Sequence, residues 1–308
     1  ALHAASPSIV HRSLSPDPKQ RGATLASFLG YRDRYFNAFA GYNRVDSTYR
    51  AEAGFVPRPG VQALFLGLGG RAYPKQGWAA RHITNYALEA NGDLTYGLNG
   101  QSTDRDLSVN LSATFKDQTY VGLVGFQTYV YLFEPFDPTN LRLEGAPLLP
   151  VGGYTNYGWR ADYFTGTSHD VQGNVGLRGG GYYNGSLWSA AGRISYRRQP
   201  VGLFSLLFSY NDIRLPAPYT SAQFWLLGPR VEVAFSRNLF ISAFTQYNTQ
   251  INNVNLNARL QWRFAPVSDV FLVYTDNSYA EEVPNTPARF LAPKNKAVVL
   301  KVVYWLNA

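Results

Sequence analysis

The 308-residue chain has no cysteine, no methionine, only four histidines, and a charged fraction of just 16%. Without Cys there is no disulfide scaffold, no thiolate metal site and no cysteine nucleophile. The same absence suits an oxidising compartment. No run approaches the ~20 apolar residues of a membrane-crossing helix, which excludes a helical membrane protein. Neither an initiator Met nor an apolar signal segment stands at Ala1, as expected of a processed or trimmed product. The formal charge is +8, from 28 basic and 20 acidic residues. The basic residues are not clustered as in a nucleic-acid arm, so nucleic acid is not an expected partner. Amphipathic helix patterns are nearly missing as well.

What replaces them is alternation with period two. From Asn253 to Phe264 one face carries Val254, Leu256, Ala258, Leu260, Trp262 and Phe264. The opposite face carries Asn253, Asn255, Asn257, Arg259, Gln261 and Arg263. A strand this apolar on one side and this polar on the other has faces that meet different solvents. Leu107, Val109, Leu111, Ala113 and Phe115 against Ser108, Asn110, Ser112 and Thr114 repeat the pattern. So do Trp188, Ala190, Ile194 and Tyr196 against Ser189, Arg193, Ser195 and Arg197. Segments of ~10 alternating residues separated by turns are the signature of a transmembrane β-barrel. A large soluble β-sandwich or β-helix would alternate too. The wealth of Tyr (22), Phe (19) and Trp (6) near strand ends favours the barrel, whose interfacial girdles need them. Trp188, Trp225, Trp262 and Trp305 are the expected interfacial tryptophans.

The expected fold is therefore an all-β, antiparallel transmembrane outer-membrane β-barrel of about sixteen strands, with fourteen as the smaller count. The barrel occupies residues 21–308, and residues 1–20, with Pro7, Pro16 and Pro18, read as an extended arm. Strands are expected at 80–90, 93–102 and 105–115, the first two joined by an Asn91-Gly92 hairpin. The last strand, 295–307, is expected to close onto 21–31, with both termini periplasmic. Other tight connections fall at 116–118, 166–170, Gln199-Pro200, Ser236-Arg237 and Ala265-Pro266. Long ones fall at 133–151, 212–220 and 277–294. In this scheme the connection 46–59 is out of place, being long on the short-turn side.

Chemistry is sparse. His3 and His11 lie in the arm, His169 in a turn beside Asp170, and His82 on a strand with no triad partner near it in sequence. No Gly-x-Ser-x-Gly elbow is present. The pairs Asp104/Asp106 and Glu281/Glu282 fall in expected external loops, where solvated charge explains them better than a glycosidase pair or a Ca²⁺ site. The glycines of Gly67-Leu-Gly-Gly70 and Gly179-Gly-Gly181 lie inside strands, where they relieve crowding or let an aromatic ring lie across them. The informative feature is the inward-facing charge. Alternation places Arg160, Arg178, Arg193, Arg197, Arg230, Arg259, Arg263 and Lys301 inside, with only Asp162 and Glu232 opposing them. Eight basic against two acidic residues leave an excess of six positive charges. Arginine facing lipid at the bilayer midplane would cost about 2–4 kcal/mol.

The stretches Asn257-Ala-Arg-Leu-Gln-Trp262, Pro266-Val-Ser-Asp-Val-Phe-Leu-Val-Tyr274, Gly54-Phe-Val-Pro-Arg58, Leu149-Pro-Val-Gly-Gly-Tyr154, Gly181-Tyr-Tyr-Asn-Gly185, Phe235-Ser-Arg-Asn-Leu-Phe240 and Leu300-Lys-Val-Val-Tyr304 resemble a known family. It consists of two-part outer-membrane proteins in which a carbohydrate-binding-like module precedes a C-terminal barrel of unassigned function. The resemblance covers roughly residues 50–305. It implies the barrel fold and supplies no catalytic residues. The module is not in this sequence, so sugar binding is not carried over. The expectation is a non-enzymatic barrel of the bacterial outer membrane, in contact with its lipid and needing no cofactor or metal. As a porin-like channel it would pass small anionic or saccharide solutes through a basic lumen. The alternative is a structural anchor or subunit of a surface assembly, with a filled lumen and protein partners held by the arm and long loops.

Overall fold

A computed structural model describes residues 22–49, 58–141, 145–166, 169–282 and 289–306. The expected arm, with His3 and His11, lies outside the described residues, as does most of Gly54-Phe-Val-Pro-Arg58. The chain is all-β. Its strands are β1 (Thr24–Arg32), β2 (Phe36–Val45), β3 (Val61–Ala72), β4 (Ile83–Gly97), β5 (Ser102–Phe115), β6 (Tyr120–Leu132) and β7 (Gly152–Phe164). There follow β8 (Val171–Tyr182), β9 (Gly185–Arg198), β10 (Gly202–Arg214), β11 (Ala222–Ala234), β12 (Leu239–Asn248), β13 (Asn253–Ala265), β14 (Ser268–Ser278) and β15 (Pro293–Val303). One short helix, α1 (Gly77–His82), precedes β4. All fifteen strands form a single sheet in chain order, and every neighbouring pair is antiparallel.

The strand count differs from sixteen for one reason. Asn91-Gly92 is not a hairpin but the middle of β4. Asn91 pairs with Gly67 on one side and Ser108 on the other, and Gly92 with Leu66 and Leu107. Two long flanking ladders outweigh the local turn preference of a single dipeptide. His82 likewise is not on a strand. It ends α1, with its ring 4.9 Å from Trp78.

This one change moves the parity of every earlier connection, and the out-of-place loop falls into line. Connections 46–60, 98–101, 133–151, 183–184, 215–221, 249–252 and 279–292 share one end of the sheet, hereafter the loop end. Connections 33–35, 116–119, 165–170, 199–201, 235–238 and 266–267 share the other, the turn end, together with 73–82 and its helix. The odd count has a second consequence. Strand β1 starts at the loop end and β15 finishes at the turn end, so the two edges run the same way. Antiparallel closure of 295–307 onto 21–31 is thereby unavailable, and among the described residues no ladder joins β1 to β15. A single added strand between them would be antiparallel to both. The two termini themselves, expected at one end, lie outside the described residues.

The two faces are inverted relative to a soluble protein. Following the register across the sheet, the apolar face carries Leu64, Leu66, Leu68, Leu88, Val109, Leu111, Leu123, Leu206, Leu260, Leu272 and Leu300. It is uncovered: Leu88 is 56% exposed and Leu300 66%. The buried residues Ala87, Ser112, Val124, Asn156, Leu187 and Phe224 belong to the other, polar face. Gly67 serves that face by leaving room for the ring of Phe39, since a Cβ there would lie 2.3 Å from its Cε1.

Candidate functional site: a charge-divided polar face

On the apolar face, charge is confined to strand ends. Its charged members at paired positions are Arg44, Arg105, Arg198, Asp212, Arg214, Asp276 and Lys296, each within four residues of an end. Between them lies an uncharged belt. On β13 it runs from Val254 to Phe264, about 33 Å along the strand and ~25 Å high at barrel tilt. Tryptophans mark its borders. Trp188 packs edge-on to Trp159, centroids 5.5 Å apart, and Trp225 lies 4.3 Å from Tyr210, both toward the loop end. Trp262 sits 5.9 Å from Phe264 near the turn end, and Trp305, just past β15, donates its backbone N–H to Ser268 Oγ at 3.1 Å.

The register puts Arg160, Arg178, Arg193, Arg197, Arg230, Arg259, Arg263 and Lys301, with Asp162 and Glu232, all on the polar face. Alternation within strands made these assignments legible. The charge count was not. Arg32 and Arg71 also lie there, with Glu89, Asp93, Asp104, Asp106 and Asp269. Ten basic against seven acidic residues cut the excess from six to three. Asp104 and Asp106 are thus on β5 and not in an external loop, while Glu281 and Glu282 do follow β14. Glu89 and Asp93 were hidden by the misplaced hairpin, because a register slip of one residue exchanges faces.

The charges divide by region. Strands β1–β6 carry Arg32 and Arg71 against four carboxylates. Arg71 approaches Glu89 at 3.8 Å, Arg58 from the loop before β3 pairs with Asp104, and Asp93 stands directly opposite Asp106. Strands β7–β15 carry the eight basic residues first assigned, against Asp162, Glu232 and Asp269. Three of these eight are ion-paired: Arg160 Nε donates to Asp162 at 2.8 Å, Arg230 Nε to Glu232 at 2.7 Å, and Arg263 Nε to Asp269 at 3.3 Å. Arg178 lies over the Phe126 ring at 4.9 Å, and Arg259 over Phe271 at 4.5 Å. Among the described residues no carboxylate comes within ion-pairing distance of Arg193, Arg197, Arg259 or Lys301. Their side chains face open space. A cavity of about 560 Å³ is lined by Arg197, Leu203, Arg230, Glu232, Arg259 and Gln261 near the turn end.

At the loop end the polar face is partly covered. Phe136 and Leu149 exchange backbone hydrogen bonds of 3.0 and 2.8 Å, and Leu149 is fully buried. Leu141 of the same connection packs on Leu187, Ile213, Leu215, Ala222 and Phe224. The Tyr182 hydroxyl donates to the Pro138 carbonyl at 3.2 Å. Phe136 lies 5.4 Å from Tyr183, whose burial pushes its phenol above the ordinary range. At the turn end, His169 is not paired with its neighbour Asp170 but lies 3.2 Å from Asp117 of the adjacent turn.

A scan against protein-family models and searches of curated proteins and of solved structures find no match for this chain.

Proposed function

We propose that this chain is a non-enzymatic outer-membrane barrel whose polar face lines a water-filled, anion-favouring pore. The observation that carries the reading is the inversion of faces. An uncovered apolar belt with charge only at its rims is built for lipid, and a polar face bearing unpaired arginines is built for water. Basic side chains along a low-dielectric wall concentrate anions, as in anion and phosphate pores. Saccharide solutes, and membership of the two-part family, belong to the same proposal.

A second reading, an anchor or assembly subunit with a blocked interior, is favoured by the packing of connection 133–151 onto β8–β11. It is favoured also by two strand edges that share no ladder, because an unpaired edge in hydrocarbon costs several kcal/mol per backbone group. Planar-bilayer recording separates the two. The pore reading expects ohmic steps with a reversal potential on the anion side in a KCl gradient. A silent barrel supports the anchor.

A further inference from the structure

We infer that the cavity on β9–β13 is a binding site for a small polyanion carrying two or more carboxylate or phosphate groups. The inference rests on the polar face being the solute-facing one. Arg197, Leu203, Glu232, Ser242 and Arg259 form one cross-strand row, each directly paired with the next. At ~4.8 Å between strands, the backbones of Arg197 and Arg259 stand about 19 Å apart, with β11 halfway. Glu232 stands at that midpoint, and Arg230 lies two residues along β11 on the same face. Arg197 and Arg259 both line the cavity.

Charge decides what such a site holds. Glu232 offsets Arg230, whereas among the described residues no carboxylate pairs with Arg197 or Arg259. The site therefore keeps two positive charges at its opposite ends. A monatomic anion can answer only one of them, but a ligand with two separated oxyanion groups answers both. Guanidinium forks suit carboxylate and phosphate bidentately. Arg259 is fixed by its neighbours: its guanidinium lies 4.5 Å from the Phe271 ring of β14 and donates a hydrogen bond to Gln261 Oε1 at 3.1 Å. Leu203 and Phe240 add an apolar wall, which favours an organic body between the charges. The depression is open on its solvent side, and its volume of 560 Å³ gives room for a small molecule lying against the sheet.

The test is calorimetric titration of the full chain, folded in detergent, with citrate and separately with tripolyphosphate. Saturable single-site binding is expected for at least one probe, and the better probe identifies the oxyanion class. R197Q/R259Q should raise the half-saturating concentration about tenfold or more, the scale of losing charge-assisted contacts. R160Q, which removes a polar-face arginine outside the cavity, should leave it unchanged. R197K/R259K retains the charge and should weaken binding less than the glutamines do, and it serves if the glutamine variant does not fold. Absence of saturable binding by the unaltered chain for both probes overturns the inference, as does an equal loss in R160Q. Because no bilayer is involved, binding without conductance would refute the pore and leave the site standing, and conductance without binding would do the reverse.

Discussion

Strands β1–β6 and β7–β15 share one apolar pattern on one face and follow opposite charge logic on the polar face. The first arc sets four carboxylates against two arginines, with Arg71 beside Glu89 and Arg58 paired with Asp104. The second sets eight basic residues against three carboxylates and, among the described residues, leaves Arg193, Arg197, Arg259 and Lys301 without an acidic partner. The polar face is thus a divided field, not a uniformly basic one. A solute passing along it would meet a repelling wall and an attracting wall together. The lesson is that net charge of a lining says less than where the uncompensated charges stand.

The largest effect expected is one the two arcs share. On the proposed reading, in which the apolar face meets lipid, L88R on β4 and L260R on β13 should each cost about 2–4 kcal/mol near mid-belt, because lipid is indifferent to the sign of the opposite face. The polar-face neighbours N91R and N257R should stay within about 0.5 kcal/mol. Urea titration in phospholipid vesicles reads both pairs. Equal costs on the two faces would remove the basis for distinguishing them.

Neutralising the second arc with R193Q, R230Q, R259Q and K301Q together should move the reversal potential in a KCl gradient from the anion to the cation side. The difference should shrink at ~1 M salt, where screening shortens to about 3 Å. An unchanged reversal potential would refute anion control by this arc. Neutralising the first arc with D93N/D106N should shift the potential the opposite way and by less. A shift toward cations would mean that the two arcs do not act on the same solute path.

The smallest effect concerns the turn end. Asp117 accepts the Thr119 backbone N–H at 3.0 Å, with His169 beside it, and both hold its carboxyl below the ordinary value. A depressed carboxylate contributes stability above its unfolded pKa and loses it as pH falls through the folded one. D117N should therefore narrow the stability difference between neutral pH and the acid range below the usual carboxylate value. Melting temperatures at the two pH values, with and without the substitution, check this. An identical pH dependence in the variant would count against it.

The sequence by itself determined the strand periodicity, the all-β class, the separation of an apolar from a polar face, and the eight basic residues on the latter. All follow from side chains alternating with period two, a property each strand carries alone. Where turn chemistry and pairing disagreed, the local signal misled. Asn91-Gly92 has the composition of a hairpin, yet ladders to β3 and β5 hold it extended. That single decision changed the strand count, brought 46–60 to the loop end, and turned Glu89, Asp93, Asp104 and Asp106 onto the polar face. Only the tertiary structure could place Arg197 and Arg259 on one cross-strand row with Glu232 at its centre and Arg230 beside it, or pack Phe136, Leu141 and Leu149 over the loop end of the polar face. Register between strands is a property of pairs, fixed by hydrogen bonding between segments far apart in the chain, and no single segment encodes it.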